Sequence, residues 1–285
     1  MRSFIHLVVF VALSLLGTCH GSVAHDKARE GDVAFFSDDF SRVALNERET
    51  RSGQTPLMAA SLAGKHLVVD RLLTLGADPT IAEKDGYNPP HGVAFQGRAD
   101  ATTVLIQHGV PVDDAHEDGY TPLHRTVWGM RQRHIDTARV LVRDGGADPD
   151  GLDSDGLPPS HRAASRGWKE MVEALLELGA DATLQAGESG DTLLHVAVRS
   201  QSVELVGAVL RGGGDAGAKN AKGTTARGLA KTLPSTDIRK LLSGASQGAG
   251  DVDGEHRGAR RRQRRETRGP VCWQGATSEA GPVSG

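Results

Sequence analysis

Short apolar runs recur along this chain at a nearly constant distance, and each ends in the same polar break. "LLTLGAD" covers 72–78, "LVRDGGAD" covers 141–148 and "LLELGAD" covers 175–181. Val68, Leu72 and Leu73 form the apolar stripe of one helix, and Gly76 stands where a left-handed residue would close it. A second, shorter helix is predicted upstream of each run. In "DGYTPLH" (118–124), Asp-Gly makes a tight turn, the Thr121 hydroxyl caps a helix, and Pro122 takes the first helical position. The small pair Ala59 and Ala60 lets that helix approach its neighbours closely. Each unit is therefore a turn plus an antiparallel helix pair whose apolar face finds cover only on another unit.

The spacing makes this a repeat. Thr55, Asn88 and Thr121 are separated by 33 residues each, and Pro158, Thr192 and Thr225 follow at 37, 34 and 33. The turn returns as "DGYNPPH" at Asp85 and "DGLPPSH" at Asp155. Taken together, D-G-x-T-P-L-H, then A-A-x-x-G, then L-L-x-x-G-A-D resembles the ankyrin repeat, over roughly residues 24–245. The resemblance implies an all-α ankyrin-repeat solenoid of helix-turn-helix units joined by β-hairpin-like turns. It also implies a non-catalytic scaffold that binds another protein through its concave groove. A regulatory or inhibitory subunit of an enzyme complex is the alternative.

The expected organisation has five full units, at 52–84, 85–117, 118–154, 155–188 and 189–221. A divergent capping unit precedes them at 25–51 and another follows at 222–245, its second helix within "STDIRKLLSG". Pro90 and Ser160 replace a core leucine, Gly92 lies inside a helix, and Gln201 replaces the inter-helix glycine, so the second and fourth units should be weaker. The third unit's extra residues are assigned to an enlarged loop, "GMRQRH" (129–134).

The ends change the picture more than the average composition does. Arg2, the apolar run Leu7–Leu16 and Ser22-Val23-Ala24 read as a secretory signal peptide over 1–24, cut after Ala24 or Gly21. An apolar N-terminal helix packing as a cap, or a lipoprotein through Cys19, are the other readings. Without the leader only Cys272 remains, which excludes an internal disulfide and keeps a cytoplasmic or nuclear location open. Residues 246–285 are polar and Gly/Arg-rich, expected to be disordered and dispensable for folding. Their cluster Arg260–Arg262, Arg264 and Arg265 reads as a solvated tail, an import signal or a furin-type processing site. The whole chain is −3 and this tail is basic, so the repeat body is acidic, which argues against nucleic acid as partner.

No catalytic or cofactor signature is present, and neither a cofactor nor a metal is expected. His124 and its equivalents His91, His161 and His195 lie too far apart, one repeat from the next, to share an ion. The resemblance gives them a structural role near the start of the inner helix. The candidate partner site comes from two columns. The residue after each turn glycine includes Tyr87, Tyr120 and Leu157, and the position seven past each Thr includes Leu62, Phe95 and Trp128. Tyr87, Phe95, Tyr120 and Trp128 are predicted to form one aromatic patch edged by Leu62 and Leu157, on a chain expected to act as a monomer.

Overall fold

The computed structural model describes residues 20–244 of the chain. Helices alternate throughout, in an inner and an outer layer. The inner helices are α1 (His20–Glu30), α3 (Pro56–Ala63), α5 (Pro89–Gln96), α7 (Pro122–Thr126), α9 (Pro159–Ser165), α11 (Leu193–Arg199) and α13 (Ala226–Thr232). Their outer partners are α2 (Arg42–Leu45), α4 (His66–Thr74), α6 (Ala99–Gln107), α8 (Gln132–Arg143), α10 (Lys169–Glu177), α12 (Val203–Arg211) and α14 (Thr236–Gly244). Each inner helix packs on the next inner helix, and successive outer helices from α4 onward do the same. Among the described residues there is no strand, only isolated bridges at Ala186–Asp191 and Lys219–Thr225 closing two of the turns.

The local reasons match the sequence. Thr55 caps α3 by accepting the Met58 N–H at 3.2 Å, and Thr121 with His124 forms a reciprocal capping box on α7. Fully buried Leu57, Leu72, Leu105, Leu141, Leu175 and Leu194 carry the stack, each worth about 2 kcal/mol of burial. Buried apolar side chains form two clusters, one reaching Leu105 and Val110, the other beginning at Ala94 and Val112. They part within the second full unit, where Pro90 and Gly92 stand. Gly92 leaves room for the preceding unit, since a Cβ there would meet Met58 Cε at 2.9 Å and Leu62 Cδ2 at 3.1 Å.

One expectation needs revision, and two others gain detail. The extra residues of the third unit are not confined to a loop at 129–134. Its outer helix α8 starts at Gln132, the same distance from Thr121 as His66 from Thr55, and runs for 12 residues where α4 runs for 9. The outer partner of the N-terminal capping unit is reduced to a 3-10 turn at Val33–Phe35 and the single turn of α2, with Phe35, Phe36 and Phe40 packed edge-on in place of a longer helix. And α1 begins inside the segment read as leader. The apolar run Leu7–Leu16 and the tail 246–285 lie outside the described residues, but the cleavage point after Ala24 falls within α1, where Ala24, His25 and Ala28 are buried.

The inter-helix turn needs positive φ, and glycine supplies it at Gly64 (73°) and Gly97 (66°). Met130 (48°) and Gln201 (58°) hold the same place without that freedom. A left-handed side chain costs about 1–2 kcal/mol, partly offset by the entropy glycine loses on folding. Gln201→Gly is therefore expected to stabilise the fold by about 0.5–1 kcal/mol, read as a rise in urea midpoint at unchanged slope.

Candidate functional site

The histidines show what the turns are built on. His124 Nδ1 lies 3.3 Å from the Thr121 backbone N–H, so it accepts, and Nε2 must carry the proton it donates to the Leu157 carbonyl at 3.1 Å in the next unit. The Nε2 atoms of His91, His161 and His195 lie 3.0, 3.0 and 2.9 Å from the carbonyls of Tyr120, Asp191 and Thr224 in the units that follow. His25 Nε2 likewise lies 2.7 Å from the Gln54 carbonyl. The row is scaffold, tying each inner helix to the following turn. Burial is the largest influence on His91, His124 and His161, and it holds His91 and His161 down to about 4.

A second row of contacts lies beside it. Arg125 on α7 reaches back to Asp118 at 2.5 Å and donates to the Tyr87 hydroxyl at 2.6 Å. Its guanidinium carbon stands 4.4 Å from the Tyr87 ring centre and 4.7 Å from that of Tyr120. Arg162 on α9 repeats the pattern, bonding Asp153 at 2.6 Å, pairing with Asp155, and lying 5.3 Å from the Tyr120 ring. Arg199 pairs with Asp191. Burial pushes the Asp191 carboxyl up, but hydrogen bonds from Arg199, Ser189 and Asn220 outweigh it and leave the group at about 2. Farther along, Arg166 sits over Trp128 at 4.7 Å. These are cation–π distances, and they form a ladder of alternating rings and guanidinium groups.

The predicted site residues divide on this geometry. Tyr120 and Trp128 meet edge-on at 6.2 Å, and Tyr87 joins them through Arg125. Both tyrosines are half-buried; Tyr87 also lies 4.1 Å from the His116 ring. Phe95 (47% exposed) and Trp128 (42%) present the open apolar surface. No ring contact joins Phe95 to the others among the described residues. Trp128 follows the end of α7, in the turn, rather than lying on the helix face. Leu62 is half-buried over Gly92, and Leu157 is half-buried and leans toward Gly187 of the next turn. The arginines escaped the column reading, although Asp118/Arg125 and Asp155/Arg162 share a seven-residue offset that marks them.

Elsewhere, a cleft of about 320 Å³ at the inter-helix turns has Arg98 and Arg133 balanced by Asp100 and Asp136. Among the described residues no group of three or more His, Cys, Asp or Glu is placed to hold a metal, and no helix is long and apolar enough to cross a membrane.

Stacked helix pairs joined by projecting turns define a helical-repeat interaction solenoid. The ankyrin-repeat family model matches residues 57–153 and 130–220, and the chain belongs to that family. It is 31% identical over 196 residues to the mouse (Mus musculus) NF-kappa-B inhibitor delta, a match covering 67% of this chain and 54% of that one. It is thus similar to only about half the length of this relative. The crystal structure of the ankyrin repeat domain of Bcl-3, a member of the IkappaB protein family, superposes with a TM-score of 0.67 at 26% identity, covering 78% of this chain and 97% of that one. The human ASB11 ankyrin repeat domain superposes with a TM-score of 0.62 at 23% identity, covering 81% and 99%, and shares the fold.

Proposed function

We propose that this chain is a non-catalytic scaffold that holds a partner protein on the surface formed by the turns and inner helices of its second to fourth full units. Tyr87, Tyr120 and Trp128 form the contact centre, Phe95 adds a second exposed ring, and Leu62 and Leu157 are its margins. The carrying observation is the pair of half-exposed aromatics, Phe95 and Trp128, on a chain with 4% aromatic residues. Arginines stacked on Tyr87, Tyr120 and Trp128 hold these rings in place, which lowers the ordering entropy that opposes binding. Trp128→Ala is expected to weaken partner binding at least about tenfold while leaving helical circular dichroism unchanged. Glu173→Ala on α10 should do neither. Normal binding by a folded Trp128→Ala protein would sink the proposal. Tyr120, half-buried against Arg125, His124 and Trp128, is the poorer probe, because its removal also loosens the turn.

The regulatory reading, in which the bound partner is held inactive, draws support from relatives that carry the name NF-kappa-B inhibitor. The burial of Ala24 and His25 within α1 favours the cytoplasmic or nuclear alternative over a secretory one. Removal of residues 1–24 takes buried Ala24 (2% exposed) from α1, the helix that packs against α3. A protein beginning at His25 is expected to melt several degrees lower than the full chain, by loss of about 1–2 kcal/mol. Equal melting, with His25 as the natural N-terminus, would restore the leader reading.

A further inference from the structure

The ladder also constrains the chemistry of the partner. Arg125, Arg162 and Arg199 each spend their charge on a carboxylate of their own turn, at Asp118, Asp153 with Asp155, and Asp191. Arg166 does not: it is exposed, and among the described residues no carboxylate lies within ion-pair distance of it. Stacked on Trp128 at 4.7 Å, its guanidinium has the face covered and the N–H edges open. A planar fork fixed this way is pre-organised for bidentate pairing with a carboxylate, and an arriving anion breaks no existing pair. The apolar surface of Trp128 continues beside it.

Exposed Asp85, Glu117, Asp155 and Glu188 stand on the turns that precede the inner helices, whereas Arg166 follows the C-terminal end of α9, with exposed Glu170 four residues beyond it and outside ion-pair distance. The seven residues of α9 separate the two ends by about 10 Å. An anionic group is therefore repelled at the turn tips and attracted at the helix end, which sets its position across the site.

We propose that the partner presents an acidic segment, in which a carboxylate pairs with Arg166 while an adjacent aromatic or aliphatic side chain lies on Trp128. This rests on the groove reading above and adds the charge and register of the occupant. The test is selection of a phage-displayed random peptide library on the full chain, on Arg166→Glu and Arg166→Gln, and on Trp128→Ala. Circular dichroism checks that each variant is folded. The wild type should enrich peptides that place Asp or Glu next to an apolar residue, and these should bind Arg166→Gln at least about tenfold more weakly. Arg166→Glu should instead enrich Lys or Arg at that place. Enrichment of neutral or basic peptides by the wild type, an acidic set indifferent to residue 166, or no enrichment at all overturns the inference. Peptides that need Trp128 but not Arg166 leave the groove reading standing. Peptides that bind Trp128→Ala as they bind the wild type remove that reading too.

Discussion

Between pH 6.5 and about 4 the folded chain loses several kcal/mol of stability. His161 is 1% exposed, donates through Nε2 to the Asp191 carbonyl, and is held neutral down to about pH 4, chiefly by burial. In the unfolded chain the same ring takes up a proton near pH 6.5. Across that window the unfolded state binds more protons than the folded one, so stability falls as pH falls. The difference amounts to about 3 kcal/mol for this ring. His91 is shifted equally, also to about 4. It is the less clean reporter, because the Asn88 side-chain oxygen 2.6 Å from its Nδ1 favours a proton there. His124 and His134 shift in the same direction, again mainly through burial. A second, separate loss begins below about pH 3.8, where the ion-paired Asp191 becomes protonated in the unfolded chain before the folded one. Urea midpoints at pH 7.5, 5.5 and 4.5 should fall steadily, and His161→Gln should flatten the part due to this ring. A midpoint constant from pH 7.5 to 4.5 would show that the rings are solvated or already charged in the fold.

The same histidine row shows how much of the architecture was legible in the sequence. The period and the capping residues depend on backbone geometry that only a few side chains satisfy, so Thr-Pro, Asp-Gly and the C-cap glycines mark the helices directly. The first unit was harder. Ser22-Val23-Ala24-His25 holds the register of T-P-L-H, nine residues ahead of Gly31 as Thr55 is ahead of Gly64, but small residues before a cut site look the same. The contact from His25 to Gln54 fits the capping reading, and it needs the neighbouring unit. The site was half legible for a related reason. Exposure of an aromatic depends on what lies over it, and Arg125 spends the faces of Tyr87 and Tyr120 while Phe95 stays open. Sequence columns locate side chains on a face; they do not show which faces a neighbour has already covered.

Gly119→Ala should cost about 3 kcal/mol or more, and Gly223→Ala only about 1, although both glycines occupy the same turn position. Their φ angles are nearly equal, +75° and +71°, so the penalty for a left-handed alanine is common to both. The surroundings differ. A Cβ on Gly223 meets nothing within 4 Å, whereas one on Gly119 would stand 2.3 Å from the Ser154 backbone nitrogen and 2.8 Å from the Asp153 carbonyl carbon. Neither atom belongs to a side chain that can swing aside, so the whole next turn must move. That turn is built on Asp153, whose buried carboxylate accepts from the Asp155 and Leu157 N–H groups at 3.0 and 3.1 Å and from Arg162 at 2.6 Å. Displacing it strains these bonds, the Ser154 N–H to Asp118 carbonyl bond at 3.3 Å, and the His124 link to Leu157. The units hold together only through their neighbours, so the loss should lower the cooperativity of unfolding as well as the midpoint, splitting the array near the third and fourth full units. Urea unfolding followed by circular dichroism and by tryptophan fluorescence reads both, since Trp128 and Trp168 flank that junction. Equal losses for the two alanines, with coincident transitions, would mean that the turns of adjacent units yield freely and that the stack is held by its helices alone.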